Sequence, residues 1–173
     1  MKKKMIAALL TAAMAVGSLS GATVFAADAS TDEKVEMADA SDVDGTTITF
    51  WHSMGGVNGE AIDTLVKKFN DENEYGITVD AQYQGEYDDS LNKLKSAQIG
   101  NMGADLVQVY EIGTRFMIDS GWIVPMQQMI DADSYDVSEI EPNLAAYYTI
   151  DNELYSMPFN SSTPIMYYNK DMF

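Results

Sequence analysis

Residues 46–73 read "TTITFWHSMGGVNGEAIDTLVKKFNDEN", and their patterning decides the fold class. The segment opens β-branched and aromatic, "TTITFWHS", which is the composition of a strand. Gly55, Gly56 and Gly59 then open a loop, after which Ile62, Leu65, Val66 and Phe69 recur at helical spacing. In "GITVDAQYQ" Ile77, Val79, Ala81 and Tyr83 alternate with polar residues, a second strand. Tyr87, Leu91, Leu94 and Gln98 mark a second helix, broken by Gly100 and Gly103 ahead of "ADLVQVY", a short strand with a buried look. "RFMIDSG" predicts a third helix that Gly121 closes. Strand and helix alternating in this way predict an α/β fold, an open sheet with right-handed crossovers.

Beyond that unit the patterning weakens. Asp131 to Pro142 is acidic and reads as a loop, a short helix is expected around Ser138 to Tyr147, and "YTIDNELYSMPF" reads as a hairpin turning at Asp151-Asn152. The last stretch, "PFNSSTPIMYYNKDMF", runs from a polar loop into the apolar residues Ile165 to Tyr168 and ends there. Domains seldom close on such a run, because terminal residues are usually polar and loosely held.

Upstream, Lys2 to Lys4, the apolar run Met5 to Val16 and the small residues around Ala26 have the layout of a secretory signal, residues 1–26. The apolar run is shorter than the roughly 20 residues a membrane-spanning helix needs. Residues 27–45 are expected to be an acidic disordered spacer: "DASTDEKVEMADASDVDG" carries seven acids and too little apolar surface to offset chain entropy. It lacks the alternating ligands and central glycine of an EF-hand loop. The folded part is then 46–173.

The chain has no cysteine, which excludes disulfides, a thiolate metal site, a cysteine nucleophile and a lipid-modified cysteine after the signal. A soluble exported protein, periplasmic or secreted, follows as the expectation. Net charge is −17, and the leader holds three of the lysines. An acidic surface of this size disfavours nucleic acid and anionic membranes as partners.

Ligands of open α/β sheets bind beyond the carboxyl ends of the strands. Here those ends are Trp51-His52-Ser53, Gln84-Gly85-Glu86-Tyr87 and Tyr110-Glu111, which combine aromatic faces, hydroxyls and a carboxylate suited to a small polyol. His52 is the sole histidine, so no zinc site is expected. Ser53, Ser161 and Ser162 lack a nucleophile-elbow motif. Glu111 with Asp88 or Asp89 could resemble a glycosidase pair, but a hydrogen-bonding role for Glu111 fits better. No phosphate loop or dinucleotide fingerprint is present, and neither cofactor nor metal is expected.

The segments "ITFWHSMGG", "KKFNDEN", "YQGEYDDSLNKL", "VQVYEIGT" and "PFNSSTPIMYYNKDMF" together resemble the extracellular solute-binding proteins of ABC importers, most of all members that bind sn-glycerol-3-phosphate. The resemblance runs from about Ile48 to Phe173 and implies a lobe of the type II periplasmic-binding-protein fold, cut at the first hinge crossing toward a second lobe. The resemblance implies that Tyr87 and Ser162 hydrogen-bond the solute at its phosphate and that Glu111 takes its hydroxyls. Trp51, His52 and Ser161 are weaker candidates. The resemblance further implies a non-catalytic monomer that hands a glycerol phosphate, a glycerophosphodiester or alternatively an oligosaccharide to a membrane permease. Arg115 is the sole arginine, so a bound phosphate would draw its cations from elsewhere.

Overall fold

The computed structural model describes residues 35–36, 38–100 and 102–173; the leader and the first part of the expected spacer lie outside them. Three parallel strands, β1 (Thr47–His52), β2 (Thr78–Tyr83) and β3 (Leu106–Val107), form a sheet in the order β2-β1-β3. A first helix, α1 (Ala40–Val43), precedes them, α2 (Gly56–Glu72) joins β1 to β2, and α3 (Tyr87–Gln98) leads from β2 to β3. The chain leaves β1 to one side for β2 and returns to its other side for β3. Strand order therefore reverses at β1, and the crevice between the carboxyl ends of β1 and β3 is the topological switch point.

Period-two burial fixes the register. Ile48, Phe50 and His52 are buried on one face of β1, whereas Thr49 and Trp51 on the other are half-buried. Val79 and Ala81 stand opposite Ile48 and Phe50 in β2. Ile62 and Val66 of α2, with Met54, close over Phe50. Each such side chain taken from water contributes about 1.5–3 kcal/mol. The turn from α2 into β2 is held by two asparagines of the "FNDEN" segment. Asn70 pairs with both backbone groups of Val79, at 2.8 and 3.0 Å. Asn73 does the same for Ile77, at 3.0 and 2.8 Å.

Several expectations change. The end of the supposed spacer is ordered: Val43 is fully buried with Ile48 and Ile77, so the lobe begins ahead of Thr46. One well-placed valine suffices to dock a segment whose composition is otherwise polar. The third strand is only two residues long and Leu106 is exposed, against the buried look of "ADLVQVY". Side chains replace the missing ladder: Asp105 Oδ2 accepts the Thr49 N–H at 2.9 Å, and Gln108 Oε1 accepts the Ser53 N–H at 2.9 Å. Between them the Gln108 N–H donates to the Trp51 carbonyl at 2.8 Å.

A 3₁₀ turn (Glu111–Gly113) leads into α4 (Thr114–Ser120), which Gly121 ends at φ 66°, a left-handed conformation that glycine adopts without steric cost. The acidic stretch read as a loop begins inside a helix, α5 (Met126–Asp133), whose Met129 and Ile130 are buried. The next helix, α6 (Pro142–Tyr147), starts at its proline rather than near Ser138, as suits a residue whose missing N–H costs nothing in a first turn. β4 (Thr149–Ile150) and β5 (Glu153–Leu154) form the expected hairpin, with Asp151 and Asn152 both at positive φ. Residues 159–169 form neither helix nor strand, so the hinge strand foreseen there has no ladder partner; Ile165, Met166, Tyr167 and Tyr168 are exposed. A 3₁₀ turn (Lys170–Met172) follows. No helix among the described residues is long and apolar enough to cross a membrane.

Candidate functional site

The carboxyl ends of the three strands converge on one rim. Tyr87 opens α3 just after β2, and Glu111 opens the 3₁₀ turn four residues beyond the end of β3. Their neighbours tie them together. The Tyr87 and Tyr110 rings stack at 5.4 Å with 8° between planes. The Tyr110 hydroxyl donates to Asp88 Oδ1 at 2.5 Å. That bond to a carboxylate is the main reason the Tyr110 phenol holds its proton more tightly than usual. Tyr87 also packs on the Phe50–Met54–Ile62 cluster, so its ring is fixed from the core side. The Glu111 carboxylate is exposed, and among the described residues it makes no hydrogen bond.

The residues just before Ser161 and Ser162 are tied to this rim. Phe159 meets Phe50 edge-to-face at 6.2 Å. Asn160 Oδ1 accepts from Gln108 Nε2 at 2.8 Å, and its amide donates to the Met54 sulfur at 3.7 Å. A chain of contacts thus runs from the end of β1 through Gln108 to Asn160, and the two serines follow directly, both exposed. Gln108 and Asn160 were missed as organisers of the rim. The signal available in the sequence was a glutamine and an asparagine where a strand end and a polar loop adjoin aromatic residues.

The weaker candidates separate. His52 is 3% exposed, its ring lies 5.5 Å from Phe50 and 6.0 Å from Tyr83, and Nδ1 accepts the Met54 N–H at 3.3 Å. Burial holds its pKa below the ordinary histidine value, partly opposed by Asp63. Such a neutral, engaged imidazole works chiefly as structure. Trp51 is half-buried on the opposite face of β1, its indole N–H spent on Gln82 Oε1 at 3.1 Å. The Ser53 hydroxyl is buried without a hydrogen-bond partner among the described residues.

The rim is acidic. Glu86, Asp88 and Asp89 lie at the start of α3, and Glu111 at the start of the 3₁₀ turn. Lys93 spends its ammonium on the Gln84 carbonyl at 2.8 Å. Arg115 forms a two-pronged pair with Asp119, at 2.7 and 3.0 Å. Hydroxyl donors and carboxylate acceptors set in this way suit a neutral, hydroxyl-bearing group better than an anion. No cluster of three or more histidine and carboxylate groups able to hold a metal occurs among the described residues.

A family model described as bacterial extracellular solute-binding protein matches residues 64–173. The chain belongs to that family. The sn-glycerol-3-phosphate-binding periplasmic protein UgpB of Salmonella typhimurium strain LT2 is 43% identical over 134 residues, which is 74% of this chain and 30% of the relative. The protein of the same name from Escherichia coli strain K12 is 41% identical over the same length and the same shares. The chain thus spans less than a third of the length of these relatives. Among solved structures, the cyclic α-maltosyl-1,6-maltose binding protein of Arthrobacter globiformis aligns with TM-score 0.54 at 21% identity, over 63% of this chain and 27% of that one. A family 1 extracellular solute-binding protein from Alicyclobacillus acidocaldarius aligns with TM-score 0.52 at 22% identity, over 63% and 26%. These likenesses establish the α/β fold as part of a solute-binding domain.

Proposed function

We propose that this polypeptide belongs to the solute-capturing subunit of an ABC importer, and that it takes up sn-glycerol-3-phosphate or a related glycerophosphodiester without chemically altering it. The observation that carries this reading is the stack of Tyr87 on Tyr110, which joins the tyrosine loop and the glutamate loop on one rim. The identity of 41–43% to proteins named for that solute supports the choice of ligand. In this reading the Tyr87 and Ser162 hydroxyls donate to solute oxygens and Glu111 accepts from glycerol hydroxyls. Phosphate charge is met by cationic or backbone N–H groups outside this acidic rim. Affinity comes from closure over the solute, and the protein acts as an exported monomer that docks on a permease.

A second reading, an oligosaccharide ligand, rests on the aromatic surface of the rim, since flat rings suit the C–H faces of sugars. Calorimetric titration of the natural-length protein with sn-glycerol-3-phosphate, glycerol and maltose separates the two. Heat with the phosphate alone, reduced at least tenfold in affinity by Glu111→Gln, is the expected result. Binding of maltose without the phosphate selects the sugar reading, and binding of none of the three ends both.

A further inference from the structure

The segments that carry Tyr87 and Glu111 are tied by two residues, Asp88 and Tyr110, that nothing in the sequence links to each other. Asp88 directly follows Tyr87 within the first turn of α3. Tyr110 directly precedes Glu111 and stands in extended conformation, φ −73° and ψ 159°, just before the 3₁₀ turn. The Tyr110 hydroxyl reaches across the gap to Asp88, and the Tyr110 ring lies parallel to that of Tyr87. Each member of the tie is therefore the immediate neighbour of a proposed solute-contacting residue. Asp88 thus stands on a helix terminus, and Tyr110 on a single extended residue before a 3₁₀ turn. Stacking alone leaves the Tyr110 ring free to slide in its plane, and the hydrogen bond removes that freedom.

We propose that Tyr110 and Asp88 are a positioning pair that fixes the Glu111 carboxylate relative to the Tyr87 hydroxyl, and so sets which pattern of solute hydroxyls is accepted. This rests on the solute-binding reading above. Because the Tyr110 hydroxyl is already spent on Asp88, the pair acts on the solute through its neighbours. Glu111 is re-aimed when the bond is lost, while groups contacting other parts of the solute are unaffected.

The test is titration calorimetry on the natural-length protein, with sn-glycerol-3-phosphate and maltose as probes, for wild type, Tyr110→Phe, Asp88→Ala, the double variant and Asp88→Asn. On the probe that wild type binds, each of the first two substitutions is expected to weaken affinity about threefold to tenfold, the range of one hydrogen bond. The double variant is expected to be no weaker than the worse single one, since both remove the same bond. Asp88→Asn, which keeps an acceptor oxygen, is expected to recover most of the loss. For a phosphate-binding wild type, propyl phosphate serves as a ligand without the glycerol hydroxyls. Its affinity is expected to stay unchanged in every variant, a selectivity loss that general loosening of the fold would not produce. Additive losses, unaltered affinity, or equal losses for both phosphates overturn the pair and leave the solute reading standing. A wild type that binds neither probe overturns both.

Discussion

Replacing Asn73 with alanine removes a side chain that substitutes for backbone pairing where α2 turns into β2. Its carboxamide donates to the Ile77 carbonyl at 2.8 Å and the Phe69 carbonyl at 3.0 Å, and accepts from the Ile77 and Tyr75 N–H groups at 3.0 and 3.2 Å. The Phe69 carbonyl keeps the Asn73 backbone N–H at 2.9 Å, so losing the side-chain bond there costs little. Ile77 is the expensive partner, because it is 1% exposed and both of its backbone groups lose their acceptor and donor together. A net hydrogen bond contributes about 0.5–1.5 kcal/mol, and a stranded buried group costs up to twice that. Asn73 itself is half-buried, which lets water repair part of the damage. The expected loss is about 3 kcal/mol, a large share of the 5–15 kcal/mol that holds a typical domain. Urea unfolding monitored by circular dichroism reads it directly, and a melting temperature about 10 °C lower is the matching thermal result. Lys67→Ala is the control: it breaks an exposed pair with Asp71 at 2.7 Å and is expected to cost less than about 0.5 kcal/mol. An Asn73→Ala protein within 1 kcal/mol of wild type would refute the idea that this amide closes the βαβ unit.

Three further outcomes are expected. Val43→Ala should destabilise by about 2 kcal/mol in the same assay, since the valine is fully buried; a spacer outside the lobe would give no change. Gly76→Ala should cost about 1–3 kcal/mol, because φ is 68° and a Cβ there would meet Asp44 Oδ1 at 2.0 Å; if Asp44→Ala in the same chain does not restore part of the loss, the clash is not its cause. His52 should make the fold acid-sensitive: its folded pKa is depressed, so the stability is present above the ordinary value near 6.5 and is lost as pH falls below it. Melting scans from pH 7.5 down to 5 check this, and His52→Asn, which retains an acceptor for the Met54 N–H, should flatten the decline.

The central βαβ unit was legible because its signals are local. Alternation along Ile77 to Tyr83 and helical spacing from Ile62 to Phe69 each follow from one face turning inward: Ile77 and Ile62 are buried and Val79, Ala81, Val66 and Phe69 half-buried, whereas Tyr83 and Leu65 at the margins stay exposed. Gly121 and Asp151-Asn152 were equally readable, since left-handed backbone has few suitable residues. What escaped depends on partners far away in sequence. Val43 is one of a few scattered apolar residues in an acidic run, and its packing on Ile48 and Ile77 gives it a role. The third strand had a buried look because Leu106, Val107 and Val109 are apolar and β-prone, yet beside them Asp105 and Gln108 serve the ladder with side chains. In α5 the acids Asp131 and Asp133 masked the helix, whose apolar side is only Met129 and Ile130. At the rim, Tyr87 and Glu111 stood out by resemblance, whereas Tyr110, Asp88, Gln108 and Asn160 acquire meaning only once the strand ends meet.

The link from Ser53 through Gln108 to Asn160 spans 55 and then 52 residues of chain. Closing loops of that length requires β1, β3 and the segment near residue 160 to be in place together, so the rim cannot nucleate locally. β1, α2 and β2, by contrast, are contiguous and can condense first around Phe50 and Ile62. If the rim binds solute as proposed, recognition is expected to be the last property this lobe acquires as it folds. On the solute-binding reading proposed above, a chain emerging from its N-terminus would have the core around Phe50 and Ile62 before it had the rim, which waits for the residues at 160.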